Sequence, residues 1–387
     1  MASGGRNLGD PFLRWKPLPD PCRPDFPYHR GLGLSIRPHR PPPPFGITGY
    51  SKGPERQQSP PGALRQSTQS DWCLQHPPAN TLLDIDSSEH QLYIIDEISC
   101  QDGRGPQLVR CYLDEQDGQI YVAKIYDALY YSYTDGEFGT PVDVTWLADQ
   151  HYSRECAAYE ELSEAKVDGI LVPKYYGSWT FNMAVRNSQH VRPVRMILME
   201  CISGCSMQFL IDCQKLNYLS PEQRLCILAK AMEVECKINF HGVRHGDFAP
   251  RNIILEYTGA DVQSYRVLLV DFNYSATFSR PNCKYKRQET TRPISPRYRF
   301  WGQCPNEFLS WVPRPHCSRP AAFKGWLKSR WEHSEEFADR TEGHIRFLDY
   351  DEAVEMARPQ PDVDHVRSTR LPVANGDTSL VYMATTT

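Results

Sequence analysis

The sequence predicts an α+β fold in which a five-stranded antiparallel sheet with one helix precedes a mainly helical region. Three observations indicate it. Strand-like runs begin near residue 91, two amphipathic helices show clear periodicity, and two short apolar strands after the second helix enclose a polar turn. A polar loop at residues 245–252 separates that helix from those two strands.

Composition limits the classes of function. The 387 residues have a net charge of −4, yet residues 1–70 carry ten Lys/Arg against four Asp/Glu, or +6, which leaves about −10 for the rest. We expect no nucleic-acid partner, since the body has no basic groove pattern. No apolar run approaches the roughly 18 to 20 residues of a membrane span, and no signal peptide is recognisable, so we expect no membrane partner and a cytoplasmic or nuclear location. The thirteen cysteines form no C-x-x-C pair, which favours reduced thiols.

Residues 1–80 are expected to be a disordered, proline-rich and basic tail. They hold 16 of the 32 prolines, including an unbroken run at 41–44, and show little periodicity. Such a segment buries too little apolar surface to offset its ordering entropy. The functional alternative is docking to a partner that binds Pro-rich motifs, although no clean P-x-x-P core with a correctly placed arginine is present.

The region 85–202 is expected to contain the five strands, at residues 91–99, 107–113, 119–125, 174–181 and 194–201. The connection between the first two strands contains Gly103 and Gly105. Glycine there would let backbone amides approach a phosphate closely. The signal is weak, because any hairpin favours glycine and the place of a third glycine is taken by Leu108.

Lys124 lies on the third strand and is followed by a helix expected at residues 146–165. Glu155 falls in line with apolar residues on one face of this helix, where an unpaired carboxylate would be costly. Lys124 is the partner we expect for it. The other members of that inward face are Ala158, Tyr159 and Leu162, whereas Glu160, Glu161 and Glu164 are expected in solvent.

The region 203–357 is expected to be mainly helical, with a divergent pattern after residue 275 and a flexible tail at 358–387. A short helix at 206–216 precedes a long one that opens with a capping box at Ser220 and ends near Gly242. Strands at 253–257 and 266–270 follow. A later helix places four large side chains on one face, Phe323, Trp326, Leu327 and Trp331.

The loop at 245–252 reads H-G-D-F-A-P-R-N, and the strand after it leads into Asp271 and Phe272. An aspartate and an asparagine five residues apart on one loop suit phosphoryl transfer from a nucleotide. The aspartate accepts the proton of an attacking hydroxyl, while the asparagine oxygen and a second aspartate hold magnesium.

Over residues 90–275 these motifs, in this order, resemble the protein-kinase-like superfamily. The loop is most similar to that of divergent fungal kinase-like proteins with H-G-D-F-x-P-x-N, which share features with aminoglycoside and choline phosphotransferases. The resemblance implies a bilobal fold that uses ATP and Mg²⁺. It further implies catalytic roles for Asp247, His245 and Arg251, nucleotide contacts at Gly103, Gly105, Lys124, Glu155, Glu200 and Ile202, and metal ligation by Asn252 and Asp271.

Several positions depart from that pattern. Gly246 replaces the arginine that reads a phosphorylated activation loop, so no such switch is expected. Ala249 replaces a common lysine, Asn273 replaces the last glycine of D-F-G, where asparagine tolerates a left-handed backbone, and no A-P-E follows. The expected function is transfer of the ATP γ-phosphate to a hydroxyl acceptor, protein Ser/Thr by family. The alternatives are a small-molecule phosphotransferase and a pseudokinase that serves as a nucleotide-binding module.

Overall fold

The computed structural model describes residues 15–46, 49–51, 57–79, 88–114, 118–136, 139–186, 190–259, 265–287 and 289–338. The chain divides into two compact units. The N-terminal unit comprises Met1–Ala157 and Tyr176–Met199, and the C-terminal unit comprises Ala158–Tyr175 and Glu200–Thr387. The main segment of the second unit thus begins at Glu200, three residues before the expected start at 203, and the unit also includes residues 158–175.

The strands of the N-terminal unit form a closed barrel. Its members are β1 (Gly33–Pro38), β2 (His90–Ser99), β3 (Gln107–Leu113), β4 (Tyr121–Tyr126), β5 (Tyr175–Ala184) and β6 (Val191–Glu200), in the spatial order β1-β2-β3-β4-β6-β5. The expectation of five strands is wrong by one. The additional strand, β1, closes the barrel by pairing with β2 on one side and with β5 on the other.

Strand β1 lies inside the segment that the sequence marks as a disordered tail. Leu34 and Ile36 alternate with exposed neighbours and are 5% and 0% exposed. Two short helices follow, α1 (Pro61–Leu64) and α2 (Gln69–Gln75), and they bury Leu64 and Trp72. The expectation of disorder is therefore wrong for the described part of residues 1–80. Composition misleads here because a few well-spaced apolar side chains are enough when a neighbouring sheet supplies the rest of the core.

Hydrogen bonds from this segment to the rest of the unit strengthen that attachment. The hydroxyl of Tyr28 donates to Asp127 at 2.6 Å, and the same carboxylate pairs with the buried Arg192 at 2.7 Å. The indole of Trp72 donates to Asp143 at 3.1 Å. Within the proline run, Pro42 and Pro44 are buried in the unit. This placement disfavours the docking of a foreign partner on that run.

Helix α3 (Val144–Glu164) carries the predicted inward face, since Glu155, Ala158, Tyr159 and Leu162 are all 0% exposed. The expectation for the other glutamates is only partly met. Glu160 pairs with Arg280 at 2.6 Å and Glu161 accepts from the Ser279 hydroxyl at 2.5 Å. Both partners come from a distant part of the chain, which helical periodicity does not reveal.

From residue 200 onward, the described part of the C-terminal unit contains four α-helices and two small sheets. Its elements in chain order are β7 (Gly204–Ser206), α4 (Met207–Asp212), α5 (Pro221–Phe240), β8 (Val243–Arg244), β9 (Ile253–Tyr257), β10 (Tyr265–Leu269), β11 (Ala276–Thr277), α6 (Pro296–Arg299) and α7 (Pro320–Trp331). One sheet has the order β10-β9-β7, and β8 pairs with β11.

The predicted ends of α5 are confirmed. The Ser220 side chain accepts from the Gln223 amide at 3.2 Å, the Gln223 side chain accepts from the Ser220 amide at 2.5 Å, and together they form the capping box. Gly242 follows the helix with a left-handed φ of +93°. This helix delivers the chain to β8 and hence to the loop at 245–252. On α7, Phe323, Leu327 and Trp331 are buried as predicted.

Part of the sequence lies outside the described residues, including the first 14 positions of the expected N-terminal tail and the whole expected C-terminal tail at 358–387. Within the described ranges, no helix has both the length and the apolar character needed to cross a membrane.

Candidate active site

The loop at 245–252 lies in the C-terminal unit and is anchored by His245. This side chain is 0% exposed, its Nε2 donates to the Val270 carbonyl at 2.9 Å, and its Nδ1 accepts from the Asp247 amide at 3.2 Å. One donating and one accepting nitrogen require a neutral imidazole. Burial lowers the pKa of His245 and keeps it neutral. The expectation of a catalytic His245 is thus corrected: it positions the loop and is closed to substrate.

The carboxylate of Asp247 is held through both of its oxygens. Oδ1 accepts from the Arg251 guanidinium at 2.5 Å, and Oδ2 accepts from the Asn252 amide at 2.8 Å. The same amide also donates to the backbone carbonyl of Asp247 at 2.9 Å. The Asp247 side chain remains 23% exposed. It is therefore an oriented carboxylate that an incoming hydroxyl can still reach.

Asn252 and Asp271 lie at the open end of the β9–β10 hairpin. In the ladder Ile253 pairs with Leu269, and beyond that pair the Val270 amide donates to the Asn252 carbonyl at 3.0 Å. Asp271 is the next residue outward. Asn252 is 1% exposed, and its side-chain oxygen accepts no hydrogen bond from the described part of the chain. A buried amide oxygen without a donor costs free energy that a bound cation would recover.

The left-handed turn of the D-F-N triplet lies at a different residue from the one expected. Asp271 has a φ of +67°, whereas Asn273 is not left-handed. Aspartate is among the few side chains that enter this region at moderate cost, and strain of this kind is concentrated at functional sites. Phe272 is buried between the rings of His245 and Tyr159, with centroids at 4.8 and 5.2 Å. Its packing fixes the direction of the neighbouring Asp271.

The predicted ion pair between Lys124 and Glu155 is present in the N-terminal unit. The two charged atoms are 2.5 Å apart, and the side chains are 4% and 1% exposed. Sequence reasoning missed a third member, Tyr126, whose hydroxyl donates to the same glutamate oxygen at 2.7 Å. Tyr126 could have been predicted as a further partner of Glu155, because it lies two residues after Lys124 on one strand and such residues share a face.

The glycine-containing connection between β2 and β3 is held by Gln107. Its amide nitrogen donates to the carbonyls of Gly105 and Gln101, at 2.7 and 3.0 Å. Gly103 and Gly105 both have left-handed φ values, +79° and +117°, which explains the residue type. The Gly103 amide, however, already donates to the Tyr130 carbonyl at 3.0 Å. In this arrangement that amide is not available to a phosphate.

Glu200 and Ile202, the expected nucleotide hinge, have partners within the C-terminal unit. Arg266 donates to both oxygens of the Glu200 carboxylate, at 2.8 and 3.0 Å, and the Lys174 amide donates at 2.9 Å. Burial by itself raises the pKa of Glu200, but these hydrogen bonds outweigh it and hold the pKa below its usual value. The Ile202 carbonyl accepts from the Gly204 amide at 3.1 Å, and Ile202 is 3% exposed.

No protein-family model matches the chain, and no curated protein matches it. Protein kinase domains are among the solved structures that match. That of Mycobacterium tuberculosis PknI is 14% identical, with a TM-score of 0.31, and the match covers 47% of this chain and 60% of that one. The BubR1 kinase domain is 12% identical, with a TM-score of 0.34, and the match covers 57% of this chain and 55% of that one. The chain thus spans less than two thirds of the kinase domains it matches. Similarity this distant assigns no residue roles.

Proposed function

We propose that this chain is a nucleotide- and Mg²⁺-dependent phosphotransferase that acts on a hydroxyl acceptor. The observation that carries the proposal is the double engagement of Asn252. Its amide nitrogen orients the Asp247 carboxylate, while its buried oxygen lacks a donor and lies at the hairpin end that carries Asp271. One residue therefore links a hydroxyl-activating carboxylate to a set of hard oxygen ligands.

The donors fit magnesium in chemical type. Mg²⁺ prefers carboxylate and amide oxygens, and Asn252 and Asp271 supply one of each. The described ranges contain no group of three or more His, Cys, Asp or Glu side chains that could hold a metal, so most of the ion's ligands would be phosphate oxygens and water. When bound, the ion would neutralise charge on the nucleotide phosphates.

Asp247 receives the proton of the acceptor hydroxyl in this proposal. The two hydrogen bonds from Arg251 and Asn252 fix its orientation before the acceptor arrives, so little rotational freedom is lost in the reaction. Arg251 also lies 3.5 Å from Glu307, and that contact restrains the guanidinium from its other side. Arg251 and Asn252 thus position the Asp247 carboxylate for the acceptor hydroxyl. Positioning and charge are most of what phosphoryl transfer requires.

The N-terminal unit offers Lys124 as the cation for the nucleotide phosphates. Glu155 and Tyr126 hold its surroundings fixed, since both are buried and hydrogen-bonded to one another. The proposed contacts of the Gly103–Gly105 loop and of Glu200 and Ile202 with the nucleotide rest on resemblance, and Gly105 is the glycine whose amide remains a candidate. The proposed acceptor is an alcohol oxygen, which a protein side chain or a small molecule can provide.

The test is Asp247→Asn, compared with wild type in two assays. Thermal shifts with Mg-ATP and Mn-ATP report nucleotide binding, and release of ADP with a mixed pool of proteins and metabolites reports turnover. We expect the variant to bind nucleotide with similar affinity and to lose about 10²–10⁴-fold in turnover, the usual range for a general base. Nucleotide binding without turnover in the wild type would favour the pseudokinase alternative, and no thermal shift with either metal would contradict the proposal.

A further inference from the structure

A cavity of about 450 Å³ lies in the C-terminal unit beside the loop that carries Asp247. Gly246 and Phe248, which flank Asp247 in the chain, both line it. Consecutive Cα atoms are only about 3.8 Å apart, so the backbone of Asp247 lies next to this cavity although Asp247 does not line it. A volume in this range accommodates a small molecule.

The cavity carries an excess of positive charge. Arg244, Lys286 and Arg299 line it together with a single carboxylate, that of Glu235. Glu235 is already bound to Arg299 through two guanidinium nitrogens. Arg244 and Lys286 form no ion pair with a carboxylate in the described ranges. Two positive charges thus remain uncompensated at one small cavity.

Arg244 is anchored through its backbone and has an exposed side chain. Its backbone belongs to β8, where it pairs with Ala276 of β11, and its guanidinium lies 4.5 Å from the ring centroid of Tyr285, another residue of the cavity wall. A guanidinium in this position can form two parallel hydrogen bonds to an anion such as phosphate. Its charge favours an anionic ligand over a neutral one.

Apart from Asn239, the rest of the wall is aromatic or is formed by glycine. Phe248 and Phe300 pack with ring centroids 5.2 Å apart and supply an apolar surface next to Asp247. Gly246 has a φ of +83°, and a Cβ there would come within 2.3 Å of the Tyr274 carbonyl. A side chain at position 246 would therefore clash with the backbone.

We propose that the cavity binds the phosphate group of a small phosphorylated alcohol and presents its free hydroxyl to Asp247. A phosphate monoester carries about −1.5 to −2 charge near neutral pH, which matches the two uncompensated cations. This inference rests on the proposed function and specifies its acceptor.

In the reaction, the hydroxyl gives its proton to Asp247 and its oxygen forms a bond to the γ-phosphorus of ATP. The bond from that phosphorus to the bridging oxygen breaks, and ADP leaves with the electron pair. The products are a bisphosphorylated alcohol, ADP and a proton, which Asp247 releases to solvent.

The first arm of the test measures binding of inorganic phosphate to the full chain, treated with phosphatase and free of nucleotide, by calorimetry. We expect Arg244→Gln and Lys286→Gln each to weaken binding by about tenfold or more, since each change removes a charge-assisted hydrogen bond to the anion. Arg244→Lys should retain most of the affinity. Lys215→Gln is the matched control, an exposed cation of the same unit that also lies over an aromatic ring, Phe209 at 5.2 Å.

The second arm measures Mg-ATP binding by the same variants, which is expected to be unchanged. If wild type did not bind Mg-ATP, the phosphotransferase function would be contradicted. If wild type and the Arg244→Gln/Lys286→Gln double variant bound phosphate equally well, the cavity assignment would be overturned. The two failures are thus distinct.

The third arm follows transfer from ATP to phosphoserine, glycerol 3-phosphate and sugar monophosphates, each beside its unphosphorylated counterpart. We expect the phosphorylated acceptors to be preferred, with KM raised about tenfold and kcat largely retained in Lys286→Gln. Equal use of the unphosphorylated counterparts or of Ser/Thr peptides would overturn the proposal. The proposal would also be overturned if mass spectrometry found a phosphorylated residue in the chain itself and removal of that phosphate were needed before inorganic phosphate could bind.

Discussion

The amide nitrogen of Asn252 lies 2.8 Å from the carboxylate of Asp247, while the oxygen of the same amide is buried and accepts no hydrogen bond from the described part of the chain. The amide nitrogen of Asn252 thus has a hydrogen-bond partner, whereas the amide oxygen has none within the described part of the chain. The nitrogen is satisfied by the protein, and the oxygen is suited to a cation. The proposed metal role of Asn252 rests on this asymmetry.

Replacing Asn252 is expected to weaken metal binding. Asn252→Ala removes the oxygen ligand and one of the two hydrogen bonds that orient Asp247. We expect the Mg²⁺ concentration that half-saturates nucleotide binding to rise by at least about tenfold. A titration of Mg²⁺ at fixed ATP, followed by thermal shift, measures it. The control is Asn306→Ala, an exposed asparagine of the same unit. An unchanged Mg²⁺ requirement would remove Asn252 from the site.

The pair of Lys124 and Glu155 should respond asymmetrically to substitution. Lys124→Met leaves the Glu155 charge buried without its cation, and we expect a loss of about 3–5 kcal/mol in the free energy of unfolding. Lys124→Met combined with Glu155→Gln should recover much of that loss, because glutamine can still accept from Tyr126. Denaturant unfolding measures both variants. Additive losses in the double variant would show that the two side chains are not energetically coupled.

Residues before position 80 should contribute to the stability of the N-terminal unit. Ile36→Ala removes a fully buried side chain from β1, and we expect a loss of about 2–5 kcal/mol. The neighbouring Arg37 has a side chain that is 53% exposed, so Arg37→Ala should change stability by less than about 0.5 kcal/mol. Equal, small effects of both changes would mean that the segment does not fold onto the barrel.

Stability should fall below pH 6.5 because of His39. This side chain is 5% exposed, and burial together with the charge of Arg195 lowers its pKa to about 3. Below pH 6.5 the unfolded chain therefore binds a proton that the folded chain does not, and unfolding becomes easier by up to about 1.4 kcal/mol per pH unit. The stability gained by burying neutral His39 is fully present above pH 6.5 and is lost as the pH falls toward 3.

His39→Gln is expected to reduce that slope between pH 6.5 and 4.5, as measured by denaturant unfolding at several pH values. His29→Gln replaces an exposed histidine of the same unit and should keep the wild-type slope. A His39→Gln slope equal to that of wild type would contradict the assignment.

Much of the fold followed from local pattern. The strands at 107–113 and 253–257 were predicted at their observed bounds, and the capping box of α5 formed at Ser220 as expected. The position of Glu155 on an apolar helix face was enough to predict a buried partner. These features depend on side-chain periodicity and on hydrogen bonds between residues a few positions apart, which sequence records directly.

Only the tertiary structure decided the remainder. Strand β1 has four paired residues with β2 and two with β5, and its stability comes from partners 54 to 143 positions away rather than from its own composition. The same holds for His245, whose closed surroundings reassign it from chemistry to positioning, and for Arg266, which pairs with Glu200 from 66 positions away. The residue types of the loop at 245–252 indicated phosphoryl transfer. The unsatisfied oxygen of Asn252 and the two uncompensated cations beside Asp247 depend on what other segments bring near them, and that is set by packing rather than by order along the chain.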